Sequence, residues 1–381
     1  MPARSERYAK PPLDGAHRKG VPLQVLSWRR RRLLYSSWVR LTRWEFWPPW
    51  AAYPPVLGYV LSLAVRHRSL TVFTAANPAI PSGGFIGESK MDILRGLDSD
   101  RVARSLFLEV TLPTALKIAR VDAFLRTLRR QLPLVLKPDQ GQRGSGVVIV
   151  RTREALVASL ARTHVDTIVQ EYVPGVEFGV FYVRRPGDAH GRILSITEKR
   201  LPSVTGDGRR TLEQLILTDA ETIGMARFHV RQHAHHLDEV PAHGHVVMLG
   251  DCGSHCRGAR FYDAGTLLTP ALAQAIDAIA SRFEGFYFGR FDLRVPSRAA
   301  FARGEGITIL ELNGVTSEVT HIYDPGVSLI EAYRALFAQW RLAFEIGAEN
   351  AAHGARVWSV AELAGLVAAH AGSRQAAAST S

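Results

Sequence analysis

Residues 134–150 read Leu134-Val135-Leu136-Lys137-Pro138-Asp139-Gln140-Gly141-Gln142-Arg143-Gly144-Ser145-Gly146-Val147-Val148-Ile149-Val150. An apolar run delivers a lysine at its end, proline stops it, and a glycine- and serine-bearing loop leads directly into a second apolar run. The pattern predicts strand, loop, strand. A Walker A loop needs its lysine after the glycines and a helix beyond, and a dinucleotide fingerprint also needs a helix, so the pattern disfavours both. The physical task can still be the same. Glycines let backbone N–H groups close over phosphate oxygens, while the Lys137 ammonium neutralises them from the strand.

The next segment, Ile168-Val169-Gln170-Glu171-Tyr172-Val173-Pro174-Gly175-Val176-Glu177, is an apolar strand that passes through a Pro-Gly turn to a glutamate. Further on, Thr197-Glu198-Lys199-Arg200 precedes a Gly206-Asp207-Gly208 turn and a helix opening at Thr211. The last signal is a pair of strands, Gly289-Arg290-Phe291-Asp292-Leu293-Arg294-Val295 and Ile307-Thr308-Ile309-Leu310-Glu311-Leu312-Asn313-Gly314. Residues two apart share a strand face, so Arg290 projects with Asp292, and Glu311 with Asn313. If the strands pair, hard oxygen donors and a guanidinium converge, a set suited to Mg²⁺ or Mn²⁺.

In this order the segments resemble the ATP-grasp superfamily, nearest to its carboxylate:amine ligases of the D-alanine:D-alanine ligase and cyanophycin synthetase type, over roughly residues 89–340. The resemblance implies an α+β fold in which two α+β subdomains grip ATP. It also implies the site. Lys90, Lys137, Gly141, Gly144, Ser145 and Gly146 would cover the phosphates, and Gln170 with the backbone of Glu171 and Val173 would meet the adenine edge beside Tyr172. Glu177 would accept from the ribose hydroxyls, and Asp292, Glu311 and Asn313 would hold the metal. Lys199 would face the terminal phosphate, and Arg290 would stabilise charge during acyl transfer. The implied reaction is ATP- and Mg²⁺-dependent joining of a small-molecule carboxylate to an amine through an acyl phosphate. A kinase on the same fold, and a noncatalytic membrane- or partner-binding protein on a ligase scaffold, are the alternatives. Thr316, Ser317, His321 and Tyr323 lie where the second substrate is expected.

Charge and composition set the surroundings. The chain has 381 residues with 46% hydrophobic and 22% charged residues, which excludes a disordered chain, and its two cysteines exclude a disulfide framework. With no signal-peptide pattern at the start, a cytoplasmic location is expected. Residues 1–50 carry eleven Lys or Arg against three acids, eight of the net twelve positive charges, on a near-neutral body. That distribution, without a recognised motif, argues against nucleic acid. Five of the seven tryptophans, Trp28, Trp38, Trp44, Trp47 and Trp50, are mixed with those arginines, a pairing that suits an anionic membrane surface on the inner face of the cell membrane or aromatics that cover the domain itself. Residues 46–65 lack formal charge, but Pro48, Pro49, Pro54 and Pro55 leave only 56–65 as clean helix, too short to span.

The expected division is a disordered lead-in over 1–20, a basic aromatic interfacial segment over 21–68, a reduced pre-ATP-grasp region over 69–110, the ATP-grasp domain over 111–345, and a C-terminal helix with a frayed tail over 346–381. A β-like run is expected at 69–74 and a helix at 89–97. The histidines around 229–255 with Cys252 and Cys256 do not have zinc-knuckle spacing; 240–263 is expected to form a loop and strands over the acceptor site, with His255, Cys256 and Arg257 lining it.

Overall fold

The computed structural model describes residues 27–97, 99–141, 144–250, 253 and 258–379. The lead-in expected over 1–20, and Gln142, Arg143, Cys252, His255, Cys256 and Arg257, lie outside them. The described chain begins with α1 (Trp28–Thr42), the single turn α2 (Pro49–Ala52) and α3 (Pro54–Arg66). Ser27 caps α1, and proline opens α2 and α3 where its missing N–H costs nothing.

Residues 69–74, expected as β-like, instead lead into a buried 3₁₀ turn, Val72–Ala76. An apolar run of this length does not by itself distinguish strand from helix. Here packing decides: the turn lies on a C-terminal helix whose Asn350 side chain donates to the carbonyls of Ala75 (3.0 Å) and Ala76 (3.3 Å).

Next come α4 (Lys90–Gly96), β1 (Ser105–Leu108), α5 (Thr114–Leu128), β2 (Leu134–Pro138), β3 (Val148–Val150), α6 (Arg153–Ala161) and β4 (Thr167–Glu171). The four strands form an antiparallel sheet in the order β1-β4-β2-β3. Alternation along β2 sends Leu134 and Leu136 into a core shared with Val121 and Leu128 of α5 and Leu156 and Leu160 of α6. Val135 and Lys137 therefore face the opposite side. β1, in the 69–110 stretch, is the edge strand of this sheet.

The remainder comprises β5 (Val176–Val183), β6 (Arg192–Arg200), β7 (Ser203–Thr205), α7 (Leu212–Thr218), α8 (Ala226–Gln232), β8 (Val246–Met248), β9 (Arg260–Asp263), α9 (Pro270–Ala280), β10 (Phe288–Val295), α10 (Arg298–Ala302), β11 (Thr308–Asn313), α11 (Leu329–Ala352) and α12 (Val360–Ser379). α12 runs on through the segment expected to fray from Ala371, in keeping with its alanine content. β7 and β8 pair alone, and the other five strands form an antiparallel sheet, β11-β10-β5-β6-β9. The protein is thus α+β, with two main antiparallel sheets.

Both faces of the five-stranded sheet are covered. Phe178, Val180 and Tyr182 of β5 and Phe291, Leu293 and Val295 of β10 enter a core with α4 and α9. Phe181, Val183 and Phe288 enter a second core with α3 and α11 on the other face. That second face is apolar at one end only. Toward the other end it carries Glu177, Lys199, Arg290, Asp292 and Arg294, which therefore look across at the four-stranded sheet.

The basic Trp-rich segment is built into this body. Val39 and Leu33 of α1 pack against Leu212, Leu215 and Ile216 of α7 and against Ile223. The Ser36 hydroxyl donates to Ile223 O (2.6 Å), Arg32 Nε to Leu217 O (2.8 Å), and Arg29 pairs with Glu213 (2.6 Å). No helix among the described residues is long and apolar enough to cross a membrane.

Candidate active site

A cavity of about 850 Å³ lies between the two sheets. Its wall includes Lys90, Lys137, Gly141, Gly144, Ser145, Gln170, Glu171, Tyr172, Val173, Glu177, Lys199, Arg290, Asp292, Glu311 and Asn313. Of the residues expected to bind nucleotide and metal or to act in catalysis, all but Gly146 line this one space. Gly146 and Gly144 shape the β2–β3 loop instead, with φ of 73° and 72°, the left-handed region that glycine enters without strain. A Cβ on Gly146 would also lie 2.7 Å from Pro138 Cγ.

β10 and β11 pair antiparallel, with Asp292 directly opposite Glu311 and Arg290 opposite Asn313. The two-residue alternation that puts Phe291 and Leu312 in the core thus puts four polar groups on the cavity wall. On the other side of β10, Asp292 faces Gly179 of β5, whose missing side chain leaves room for Arg290, since a Cβ there would lie 3.2 Å from Arg290 Cδ. Asp292 Oδ1 accepts from Lys199 Nζ (2.9 Å) and Arg290 Nε (3.0 Å). Burial alone would raise its pKa, but Arg290 and Lys199 hold it well below the usual carboxylate range. Desolvation raises the pKa of Glu311, whose side chain is 26% exposed, but Lys90, which donates to it, together with Lys137 holds it low. Burial also works against the Lys90 ammonium, but Glu311 overrides this and lifts its pKa.

Lys137 has the opposite balance. It is 7% exposed and donates to Gln170 Oε1 (3.1 Å) and Leu310 O (3.0 Å), both uncharged acceptors. Burial, with Lys90 nearby, pushes its pKa down to about 8 although Glu311 and Asp292 oppose the fall. Five cations, Lys90, Lys137, Lys199, Arg290 and Arg294, gather around Glu177, Asp292 and Glu311 at this end of the cavity. Clustered ammonium and guanidinium groups there can receive phosphate oxygens.

Several expected side chains are already engaged. Gln170 Nε2 donates to Ser105 Oγ and Leu310 O, both at 3.1 Å, so the amide holds Lys137 and bridges the two sheets. Glu171 N donates to Arg104 O (3.0 Å), and Val173 O accepts from Arg294 (2.6 Å). Glu177 is paired with Lys199 (3.2 Å) and Arg294 (3.0 Å). Tyr172 lies under the Arg294 guanidinium, 5.4 Å from its ring centroid. Arg294 thus ties the Val173 carbonyl to Glu177, a contact the sequence did not suggest. Its spacing, two residues beyond Asp292, signals only the shared strand face.

Thr316, Ser317 and Tyr323 also line the cavity, as expected for the second substrate; His321 is not on its wall. β8 and β9 form within 240–263, and Gly253 reaches the cavity. Among the described residues there is no group of three or more His, Cys, Asp or Glu able to hold a metal. The oxygen set here is two carboxylates and an amide, Asp292, Glu311 and Asn313. Two ionised carboxylates side by side on paired strands, with no sulfur or imidazole, fit a hard divalent cation.

Trp44, Glu45, Phe46 and Tyr53 from the N-terminal segment also line the cavity, and the sequence gives no local sign of it. Trp44 Nε1 donates to Val327 O (3.1 Å), and its ring stacks on Tyr323 with centroids 5.6 Å apart.

No protein-family model and no curated protein matches the sequence. Among solved structures, the chain is similar over 66% of its length to 36% of a bifunctional glutathione synthetase from Pasteurella multocida (17% identity, TM-score 0.37). It is similar over 70% of its length to 67% of a D-alanine–D-alanine ligase from Bacillus anthracis (14%, 0.40), and over 66% to 61% of a D-Ala:D-Ser ligase from Enterococcus faecalis (13%, 0.38). The chain therefore spans about a third of the first and under two thirds of the last. Likenesses this distant leave the site to be read from the chain's own side chains.

Proposed function

We propose that the protein is an ATP- and Mg²⁺-dependent ligase that activates a carboxylate as an acyl phosphate and joins it to an amine, releasing ADP and phosphate. The observation that carries the reading is the single cavity in which Lys90 and Lys137 face Asp292, Glu311 and Asn313 across the gap between the sheets. Lys137, Lys90 and the loop of Gly141, Gly144, Ser145 and Gly146 hold the phosphates. Gln170 fixes Lys137, and Glu171, Tyr172, Val173 and Glu177 line the nucleoside side. Asp292, Glu311 and Asn313 hold Mg²⁺ or Mn²⁺, which neutralises phosphate charge when bound. Arg290, kept in place by Asp292 and by its bond to Glu318 O (3.0 Å), meets the negative charge that develops as the amine attacks the acyl carbon. Lys199, within reach of Asp292, offers a second cation at the transferring phosphate. Closure between the sheets keeps water from the activated acyl group.

ADP release from Mg·ATP by the purified chain, followed with panels of carboxylates and amines, tests the reading. ADP formation that needs both partners and leaves an amide supports it. Phosphorylation of a hydroxyl with no amine requirement would instead identify a kinase on the same site.

A second observation concerns where the enzyme works. The face of α1 opposite its packed side exposes Leu34, Trp38 and Leu41 beside Arg30 and Arg31, and α3 exposes Leu57, Leu61 and Val65 four residues apart. Neither helix contains an acid. Apolar side chains with only positive charge around them suit the headgroup region of an anionic bilayer, so we place the protein peripherally on such a surface. Sedimentation with phosphatidylglycerol and phosphatidylcholine vesicles tests this. The intact chain should pellet with the anionic vesicles, and the variant Trp38→Ser/Leu41→Ser should stay in solution; equal behaviour of the two proteins contradicts it.

A further inference from the structure

Away from the lysines, the cavity wall changes character. Trp44, Tyr53, Phe261, Tyr323, Tyr333 and Leu336 supply an aromatic and apolar lining, and two carboxylates, Glu45 and Glu318, open onto it. The rings are held in place: Trp44 stacks on Tyr323, Tyr53 OH lies 3.4 Å from Tyr323 OH, and Tyr333 OH donates to Ala52 O (2.9 Å). Tyr323 OH in turn donates to Glu318 Oε2 (2.8 Å). The backbone carbonyl of Glu318 accepts from Arg290 (3.0 Å).

The polar groups here want donors. Glu45 has a side chain only 7% exposed, and its Oε1 accepts no hydrogen bond. Its nearest cation, Arg43 NH1 at 3.9 Å, is off the cavity wall. Glu318 has one neutral donor, Tyr323 OH, and no ion pair among the described residues. Burial pushes its carboxyl pKa up, with the Tyr323 bond opposing. The remaining cation on this part of the wall, Arg40, donates to Met225 Sδ (3.4 Å). A buried carboxylate short of donors is costly, and a ligand that brings N–H groups relieves the cost. Aromatic faces add attraction for the same charge.

We propose that this end of the cavity holds the amine substrate as its ammonium form, with Glu318 accepting its N–H bonds, Glu45 adding negative charge to the wall, and the rings of Trp44 and Tyr323 packing an apolar body. The word substrate rests on the ligase reading; the binding site itself does not. The ligand class is a primary amine on an aromatic or aliphatic frame. An acid of the same shape would meet two carboxylates on this part of the wall. Glu318 can take one proton from the ammonium before attack; the nitrogen lone pair then forms the C–N bond as the C–O bond to phosphate breaks, and the departing phosphate takes the second N–H proton.

Three probes with one frame and different charge separate the possibilities: 2-phenylethylamine, 2-phenylethanol and 3-phenylpropionate, titrated calorimetrically into the full chain with and without Mg·ATP. The amine should bind about tenfold or more tightly than the alcohol and the acid. In Glu318→Gln, where the Tyr323 bond survives, the preference for the amine should fall about tenfold while ATP affinity stays as in the parent. In Trp44→Leu all three probes should weaken together. Equal or tighter binding of the acid, or an unchanged preference in a folded Glu318→Gln, overturns the proposal. The charge series on the unmodified chain decides the question even if the variants fail to fold. Amine binding without ATP binding would sink the ligase reading and leave this subsite standing; the reverse result would do the opposite.

Discussion

Replacing Lys137 with methionine should separate stability from nucleotide binding. At neutral pH the buried ammonium is a burden on the fold. A fall in pKa from 10.5 to about 8, at about 1.4 kcal/mol per tenfold change in proton affinity, corresponds to about 3 kcal/mol favouring the uncharged form. Methionine removes that burden and fills similar volume. It also strands Gln170 Oε1, which costs about 1–3 kcal/mol, whereas Leu310 O keeps its bond from Gln170 Nε2. Lys137→Met should therefore be as stable as the parent or up to about 2 kcal/mol more stable at pH 7. Loss of one charged phosphate contact should weaken Mg·ATP binding by about 1.5–3 kcal/mol, roughly tenfold to a hundredfold. The stability difference has a defined pH dependence. Because the folded pKa lies below the unfolded one, the parent carries the full cost below pH 8, sheds it as the pH rises, and is free of it by 10.5. The advantage of the variant should shrink over the same window. Urea unfolding at pH 7 and 10 with calorimetric ATP titration measures both effects. A variant much less stable at pH 7 would refute the burial reasoning, and unchanged ATP affinity would refute the phosphate assignment.

Asp292→Asn removes the counter-ion of two buried cations, Lys199 and Arg290, and should cost about 3–5 kcal/mol in urea unfolding along with the Mg²⁺ dependence of ATP binding. Arg290→Ala should lower the rate of ADP release by about 10²–10³ with little change in ATP affinity, as measured by single-turnover kinetics. His229 is wholly buried, and burial lowers its pKa from 6.5 to about 4. The folded state thus holds it neutral, its contribution is complete above pH 6.5, and stability is lost as the pH falls toward 4, about 2 kcal/mol of it by pH 5. His229→Leu should show a correspondingly smaller drop between pH 7 and pH 5. The carboxylates of Asp292 and Glu311 are shifted down, so their contribution is present above the ordinary carboxylate range and disappears below it.

The strand-borne part of the site was legible because period-two alternation is local. Arg290, Asp292, Glu311 and Asn313 declare their common face within seven or eight residues, and the β10–β11 register matches Asp292 to Glu311 as the pattern required. The lysine strand and glycine loop were legible for the same reason. The contributions of Trp44, Glu45 and Tyr53 were not, since the contacts that bring them in span 283 residues between Trp44 and Val327 and 270 between Tyr53 and Tyr323. No short pattern encodes such a contact. The 69–74 run went astray because apolar content reports burial, and burial against α11 took a 3₁₀ form. Gln170 shows a subtler limit: its position in the strand was read correctly, but the direction of its amide depended on Lys137 and on Leu310 from the other sheet.

The most direct test is a crystal structure with Mn²⁺ and a non-hydrolysable ATP analogue, using manganese anomalous scattering. The account predicts a manganese peak bonded to Asp292 and Glu311 oxygens, with the triphosphate running from it to Lys90 and Lys137. Nucleotide bound elsewhere, or manganese found away from these carboxylates, would contradict it.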